Sequence, residues 1–322
     1  MILLSIKNVS VTYVSEEQRL FAVDNVSLDI AANRSMGIIG ESGSGKSTLM
    51  HAVLRLLNPR AAEVTGSILF DGKDLLRLSE EELREIRWKD IAVVFQKSMN
   101  ALSPVHRVGT FLGDVYRIHN PAADKHVVKA RLETLLEMVS LPVKVLRMYP
   151  HELSGGMMQR VSIAMSVMFN PRLLILDEAT TALDVVTQTQ ILRQIQDIEQ
   201  ELGVTRIMVT HDISVVSTTC DDVTILYAGH IMEVGKVSEV LVEPLHPYTR
   251  ALIESFPDAA PDRNAKLASI TGALPDLRIR CPGCIFAARC PLAATVCSEV
   301  RPKLTDYGNG RLAACHMIGE QI

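Results

Sequence analysis

The residues with the clearest chemistry in this sequence lie between Gly40 and Thr48, in the segment GESGSGKST. The segment fits the pattern G-x-x-x-x-G-K-[S/T], whose glycines let successive backbone N–H groups turn towards a phosphate chain. An apolar run at 36–39 predicts a buried strand before it, and residues 49–57 predict a helix after it, whose N-terminus would also favour an anion. In that setting Lys46 reaches the β- and γ-phosphates, and the hydroxyl of Ser47 ligates Mg²⁺. The segment therefore predicts a site for a nucleoside triphosphate.

Two acidic residues follow a second apolar run. Residues 173–176, LLIL, predict a buried strand, and Asp177 and Glu178 come directly after it. Carboxylates at the carboxyl end of a strand, downstream of a phosphate loop, suit Mg²⁺ chemistry. His211 likewise ends a strand predicted at 205–210, and there a polar contact with the γ-phosphate is favoured over a purely structural role.

The composition of the chain limits the classes of protein to which it can belong. Of its 322 residues, 48% are hydrophobic and 22% are charged, which predicts a soluble globular protein of one large or two smaller domains. The net charge of -4 provides no basic footprint, so we expect no nucleic acid as a partner. No apolar run approaches the roughly 20 residues that cross a bilayer. The N-terminal segment lacks the build of a signal peptide, so we expect the protein to stay in the cytoplasm.

Hydrophobic periodicity gives a coarse outline of the elements. Alternating apolar residues predict antiparallel strands at Leu4–Tyr13 and Ala22–Ile30. Tyr13, at the end of the first, could stack on a nucleotide base or be an ordinary strand tyrosine. The segment SEEE at 79–82 is typical of a capped helix start, and the helix is predicted to run through Ile86.

The middle of the chain has a different character from its ends. Between about 99 and 170 helical signals dominate, which predicts a helical insertion in an α/β core; apolar residues at 128–139 fall on one helix face. Ser154, Gly155 and Gly156 open a further helix, where they could bind an anion or only cap the helix. Prolines become frequent near residue 240, which predicts a domain boundary there.

Taken together, the motifs resemble those of an ATP-binding-cassette (ABC) ATPase, the motor subunit of an ABC transporter. The resemblance covers residue 1 to about 245. It rests on the phosphate loop, Gln96 as the Q-loop, the signature LSGGMMQ at 153–159, the acidic strand end at 173–178, the D-loop at 182–184 and the His211 switch. HPYTRAL at 246–252 and the cysteine-rich end resemble the oligopeptide, dipeptide and nickel importer group.

The resemblance implies a fold and a domain organisation. The fold is α/β: a P-loop NTPase (RecA-like) core with an antiparallel β subdomain and a helical insertion, followed by a small Cys-rich C-terminal appendage. The nucleotide-binding domain would cover residues 1–245, with a helical subdomain at about 99–170. The C-terminal domain would cover residues 246–322.

The resemblance also implies a role for each motif residue. Catalysis is assigned to Glu178 as the general base, His211 at the γ-phosphate, Gln96 as the sensor of Mg²⁺ and the attacking water, and Lys46. Mg²⁺ is assigned to Ser47, Gln96 and Asp177. The residues expected at ATP are Tyr13 against the adenine, Gly40, Ser42, Gly43, Ser44, Gly45, Lys46, Ser47 and Thr48 at the phosphates, Gln96, Asp184, and Ser154 and Gly156, which act in trans on a facing subunit.

The implied partners are those of an importer. They are two transmembrane permease subunits, a second ABC ATPase subunit (this chain or a paralogue) and an extracytoplasmic substrate-binding protein. The chain would be a peripheral protein on the cytoplasmic face of the membrane. Peptides are the expected cargo, with nickel or oligosaccharides as alternatives because the cassette does not touch the cargo. A soluble ABC ATPase acting on DNA or ribosomes is disfavoured, since the chain has a single cassette and no long coiled-coil insertion.

Five of the six cysteines crowd into the C-terminal end. Cys284, Cys290, Cys297 and Cys315 provide four soft ligands, enough for a tetrahedral zinc ion or an iron–sulfur cluster. Cys281 forms a C-x₂-C pair with Cys284, so a zinc site that uses Cys281 is an alternative. The family resemblance implies a [4Fe–4S] cluster on the other four.

Overall fold

The computed structural model of the chain describes residues 1–95, 102–180, 183–256 and 270–319. The chain divides into two compact units. The first unit is made of Met1–Leu78 and Met208–Ile322, and the second is made of Ser79–Ile207. The first unit is therefore built from both ends of the chain, and the middle of the chain builds the second.

The strands and helices alternate through much of the chain, as an α/β fold requires. In chain order the strands are β1 (Ile2–Val14), β2 (Arg19–Ala31), β3 (Ser35–Ile39), β4 (Ala62–Phe70), β5 (Lys73–Asp74), β6 (Ile91–Phe95), β7 (Leu173–Asp177), β8 (Thr205–Thr210), β9 (Asp222–Tyr227), β10 (His230–Lys236), β11 (Thr305–Asp306) and β12 (Leu312–Ala313). The α/β class predicted from the sequence is confirmed.

The helices are mostly short, and several have a capping side chain. In chain order they are α1 (Lys46–Val53), α2 (Glu80–Ile86), α3 (Val108–His119), α4 (Lys125–Met138), α5 (Gly155–Ser166), α6 (Val185–Leu202), α7 (Ile213–Thr219), α8 (Val237–Val240), α9 (Pro247–Glu254) and α10 (Thr295–Glu299). Short 3₁₀ turns cover Leu75–Arg77, Val143–Arg147, Pro150–Glu152 and Ala287–Arg289.

An antiparallel sheet in the first unit has the strand order β2-β1-β4-β5. β1 pairs with β2 on one side and with β4 on the other, and it buries Leu4 and Ile6 almost completely. The register shifts between Ile6 and Val9, where Asn8 has a φ of 49° in the left-handed region that asparagine tolerates. The two antiparallel strands predicted from the alternation are confirmed, each with a few more residues at its ends.

The first unit also contains the strands that carry the phosphate loop. β3 pairs in parallel with β9, β9 pairs antiparallel with β10, and the short strands β12 and β11 follow beyond β10. All five residues of β3 are buried, as expected for a parallel strand covered on both faces. The strand predicted before the loop at 36–39 is thereby confirmed.

In the second unit β6 and β7 pair in parallel, and five helices, α2 to α6, lie before, between and after them in the chain. Every residue of β7 is buried. Helix α4 buries Val128, Leu132, Leu135 and Leu136, which are the residues that its 3.6-residue period places on one face. β8 passes from the second unit back to the first.

The C-terminal part of the chain shares a hydrophobic core with β9 and β10. The core includes the aromatic side chains of Tyr227, Tyr248 and Phe286, whose ring centroids are 4.6 to 5.3 Å apart. Cys284 and Cys297 are buried in the same core. The segment at 270–319 therefore packs in the first unit, beside the strands that lead to the phosphate loop.

Within the described residues, no helix combines the length and the apolar character needed to cross a membrane.

Candidate functional site

The phosphate loop runs from the end of β3 to the start of α1, as the sequence predicts. Helix α1 begins at Lys46, three residues before the predicted start, and Gly45 precedes it with a φ of 96°. A Cβ atom on Gly45 would lie 2.4 Å from the backbone oxygen of Ala22, and a Cβ on Gly40 would lie 2.0 Å from that of Leu226. Both positions therefore require glycine, because neighbouring backbone occupies the space of any side chain.

Lys46 lies folded back over the start of the loop. Its Nζ atom donates hydrogen bonds to the carbonyl oxygens of Gly40, at 2.8 Å, and Glu41, at 2.9 Å, and the residue is only 5% exposed. Two backbone carbonyls thus compensate the burial of the ammonium group, which would otherwise be costly. The loop consequently presents one buried positive charge together with the N-terminal amides of α1, and both favour a bound phosphate.

The loop is also anchored to the hairpin turn between β9 and β10. The backbone N–H of Gly229 donates to the carbonyl of Ser44 at 2.9 Å, and the side chain of Ser44 is completely buried. The carbonyl of Gly229 in turn accepts from the N–H of Asp24 on β2 at 2.9 Å. Both sheets of the first unit therefore hold the loop in place.

Two further predicted site residues belong to the first unit. The hydroxyl of Tyr13, at the end of β1, lies 3.3 Å from the hydroxyl of Thr48 in α1, so the structure brings this tyrosine to the loop. Tyr13 is partly exposed. His211 follows β8 and is exposed, directly before α7, which Asp212 caps.

In the second unit, the two acidic residues occupy distinct backbone states. Asp177 is the last residue of β7 and is 7% exposed, whereas Glu178 is partly exposed and has a φ of 50°. A left-handed conformation is uncommon for glutamate, and here it sets the direction of the side chain directly after the strand. The strand that the sequence predicts in front of this pair is confirmed.

The signature motif and the D-loop meet at Thr187, a residue that the sequence interpretation missed. Ser154 caps α5 by accepting from the N–H of Met157 at 3.3 Å, and a Cβ on Gly156 would lie 2.9 Å from Cγ2 of Thr187. Asp184 caps α6 by accepting from the N–H of Thr187 at 3.0 Å and from its hydroxyl at 2.7 Å. Those hydrogen bonds lower the pKa of Asp184, which therefore stays ionised.

Some of the predicted positions lie outside the described residues. They are Gln96, which follows β6, and Ala182 of the D-loop. The other predicted nucleotide residues are described. In the first unit the structure brings the phosphate loop and Tyr13 together, and in the second it brings Ser154, Gly156 and Asp184 to the N-terminal ends of α5 and α6.

The sequence interpretation also missed a contact between the C-terminal part of the chain and the phosphate loop. The N–H of Glu41 donates to the hydroxyl of Tyr248 at 3.1 Å, and the carboxylate of Glu41 forms an ion pair with Arg289 at 3.1 Å. Tyr248 belongs to the HPYTRAL segment, which signalled a family resemblance but no role at the loop.

All six cysteines are free thiols. Burial raises the pKa of Cys284 to about 11, with further contributions from the nearby thiols of Cys297, Cys315 and Cys290. Burial also raises the pKa of Cys290 and Cys315. Metal ligation requires thiolates, so these raised pKa values disfavour it. The described residues also contain no group of three His, Cys, Asp or Glu side chains that could hold a metal ion. The described residues thus include the four thiols that the sequence offers as ligands, but no metal site.

Comparison with known families agrees with the order of these motifs. The profile of the ABC transporter family matches residues 23–181, and the profile described as oligopeptide/dipeptide transporter, C-terminal region, matches residues 232–297.

Individual relatives match over nearly the whole chain. A probable peptide ABC transporter ATP-binding protein of Sinorhizobium fredii is 42% identical over 323 residues, which cover 100% of this chain and 96% of the relative. A dipeptide transport ATP-binding protein of Bacillus subtilis is 42% identical over 316 residues, covering 97% of this chain and 93% of the relative.

Solved structures match the cassette part of the chain. The ATP-binding cassette MJ0796, solved as a dimer bound to ADP and phosphate, has a TM-score of 0.65 and 30% identity, and the match covers 73% of this chain and 98% of that one. The cbiO1 protein of Clostridium perfringens, part of the ABC transporter complex cbiONQ, has a TM-score of 0.65 and 28% identity, over 75% of this chain and 91% of that one.

The packing around Gly45 leads to a testable prediction. We expect Gly45→Ala to weaken Mg-ATP binding by on the order of 100-fold, because displacing the loop by about 1 Å misplaces its amides. Equilibrium binding of a fluorescent ATP analogue would measure the effect. Gly72→Ala is the matched control, since Gly72 also has a positive φ, of 81°, but no atom lies within 4 Å of the added Cβ. Equal affinities of the two variants would contradict the prediction.

Proposed function

Because this chain belongs to the ABC transporter family of ATP-binding proteins, we propose that it is the ATP-hydrolysing motor of a peptide importer. ATP hydrolysis is the activity of such subunits. The observation that carries the proposal is the match along the whole chain to proteins named for peptide and dipeptide transport, including the C-terminal region of that group. Nickel or oligosaccharide import by the same motor is the alternative for the cargo.

In this proposal the chain acts by positioning and by neutralising charge on the transferred phosphoryl group. Lys46 and the loop amides hold the phosphates, and Tyr13 stacks on the adenine. Ser47 and Asp177 hold Mg²⁺, which neutralises charge on the phosphate oxygens when it is bound. The burial of Lys46 beside the loop and the start of α1 at Lys46 support this assignment, because a positive charge and helix N-terminal amides both favour phosphate.

Water activation is assigned to Glu178. Its carboxylate takes a proton from the attacking water, while His211 contacts the γ-phosphate and Gln96 senses the water and Mg²⁺. The position of Glu178 supports this role, because it directly follows the buried strand β7, where an NTPase needs acidic residues.

Two cassettes complete each site in this proposal, with Ser154, Gly156 and Asp184 contributed across a head-to-tail dimer. The 30% identical cassette MJ0796 was solved as a dimer. Val185 and Val186, next to Asp184, are 76% and 68% exposed, so a partner surface there would bury an apolar pair. The second cassette is a copy of this chain or a paralogue, and an isolated monomer hydrolyses ATP poorly.

The remaining partners follow from the same group of relatives. They are two transmembrane permease subunits and an extracytoplasmic substrate-binding protein, with this chain peripheral on the cytoplasmic face of the membrane. A soluble ABC ATPase without permeases is the competing proposal. The division of the chain into domains at residues 1–245 and 246–322, with a helical subdomain at about 99–170, stays a prediction.

The assignment of the base is tested by Glu178→Gln. We expect ATP to bind with unchanged affinity and steady-state hydrolysis to fall by about 10²- to 10⁴-fold, because the amide cannot accept the proton. Glu201→Gln, which alters an exposed carboxylate in the same unit, is the control and should hydrolyse ATP normally. Normal turnover by Glu178→Gln would refute this role.

The cargo is tested with a purified transporter, in which the chain is co-expressed and assembled with candidate permease subunits. We expect the peptide-loaded binding protein to stimulate ATP hydrolysis and labelled di- and oligopeptides to enter proteoliposomes. Stimulation by Ni²⁺ or by oligosaccharides instead would favour the alternative cargo. Failure of the chain to purify with any permease would support a soluble ABC ATPase.

We also propose that Cys284, Cys290, Cys297 and Cys315 bind a [4Fe–4S] cluster. The proposal is supported by the four soft ligands and by the proximity of the other three thiols to Cys284, whose pKa they help to raise. Anaerobically purified protein should show charge-transfer absorption and contain iron and sulfide. Cys297→Ser should lose this absorption, whereas Cys281→Ser should retain it. If the protein instead contains stoichiometric zinc and shows no such absorption, and if Cys281→Ser loses the zinc, the site is the alternative zinc site.

A further inference from the structure

Arg289 lies at the end of a 3₁₀ turn in the C-terminal part of the chain, and its side chain is only 6% exposed. Its Nη1 atom donates to both carboxylate oxygens of Glu41, each at 3.1 Å, and to the hydroxyl of Tyr227 at 3.2 Å. Glu41 is the second residue of the phosphate loop. A largely buried ion pair therefore connects the C-terminal part of the chain to the loop.

The same guanidinium also organises its own segment. Its Nε atom donates to the carbonyl oxygen of Thr271 at 2.9 Å, and Nη2 donates to that of Ile270 at 3.0 Å. The fork of donors in one guanidinium thus holds Glu41 and the backbone at 270–271 in one arrangement. Further along this segment, Leu274 lies 3.4 Å from the position of a Cβ on Gly43 of the loop.

Glu41 is held from a second direction by Tyr248, whose hydroxyl accepts its N–H. Tyr248 is completely buried, and His246 fixes the start of its helix by accepting the N–H of Tyr248 at 3.0 Å. Burial lowers the pKa of His246 to about 4, so the ring stays neutral and remains an acceptor at pH values near 7.

All three polar groups of Glu41 are therefore engaged. Its N–H binds Tyr248, its carboxylate binds Arg289, and its carbonyl oxygen accepts from Nζ of Lys46 at 2.9 Å. The carbonyl that holds Lys46 belongs to the residue that the C-terminal part of the chain fixes in position. A displacement of Glu41 consequently moves an acceptor of the lysine that binds phosphate.

We propose that Arg289 is a positioning residue of the nucleotide site: by holding Glu41 it fixes the start of the phosphate loop and Lys46, and so sets the affinity for ATP. In this role Arg289 acts through Glu41 and needs no contact of its own with the nucleotide. This role rests on the proposed binding of ATP to the loop. Arg289 and Glu41 are 248 positions apart in the sequence, yet they form a largely buried ion pair. Removal of either side chain leaves the other charged and without this partner, so the pair resists separation.

The experiment measures binding of a fluorescent ATP analogue, and KM and kcat for ATP, with the full-length chain. Arg289→Ala should weaken binding and raise KM on the order of tenfold, while kcat changes less, because ground-state and transition-state contacts with the phosphates weaken together. Arg289→Lys, which keeps the charge but not the fork, should be intermediate. Arg278→Ala is the matched control, since Arg278 lies in the same segment, pairs with Asp276 and is 57% exposed.

A double-mutant cycle with Glu41→Ala separates positioning from a purely structural role. If Arg289 acts through Glu41, the double variant should bind ATP no more weakly than either single variant. Unchanged ATP affinity in Arg289→Ala, or additive losses in the double variant, would overturn the proposal even if thermal stability falls. Absence of ATP binding by the unmodified chain would instead refute the proposed function, so the two failures are distinguishable.

Discussion

The structure depends on the close approach of the phosphate loop to the backbone of two strands, at Leu226 of β9 and at Ala22 of β2. Gly40 passes against the carbonyl of Leu226, and Gly45 passes against that of Ala22, at distances that leave no room for a Cβ atom. Because both sheets of the first unit contribute to this packing, backbone contacts within the protein define the shape of the loop. Pre-organised amides bind a phosphate chain without the cost of ordering a flexible loop.

The loop is held by parts of the chain that are far apart in the sequence. The turn at 228–229 hydrogen-bonds to Ser44, Tyr248 binds the backbone of Glu41, and Arg289 binds its side chain. The two ends of the chain form one compact unit, and the middle forms the other. The C-terminal part is thus an integral component of the unit that holds the loop, and changes in it can reach the loop through Glu41.

Burial of the cysteines favours their neutral thiol form, whereas metal ligation would require thiolates. Burial raises the pKa of Cys284, Cys290 and Cys315, so the free thiols are neutral near pH 7. Assembly of the proposed cluster would therefore release protons, and the binding free energy of the metal would have to exceed the cost of forming thiolates. The core around Cys284 and Phe286 would then contain buried thiolates, which only their bonds to the metal would stabilise.

Local features of this protein were determined by the sequence itself. The capping box at Ser79 and Glu82, the strand before the phosphate loop and the helix face of α4 all depend on residues within one element, and all are confirmed. The glycines and Lys46 of the loop likewise predict phosphate binding, because backbone amides and one ammonium group are sufficient to bind a phosphate.

Only the tertiary structure decided which distant residues meet. Tyr13 and Thr48 are 35 positions apart, and Glu41 and Arg289 are 248 positions apart, so no periodicity relates them. The raised pKa values of Cys284, Cys290 and Cys315 also depend on the folded core, since desolvation exists only once the surrounding side chains have packed. Patterns in a sequence report interactions within a few turns of chain, whereas contacts between elements depend on how the sheets bring those elements together.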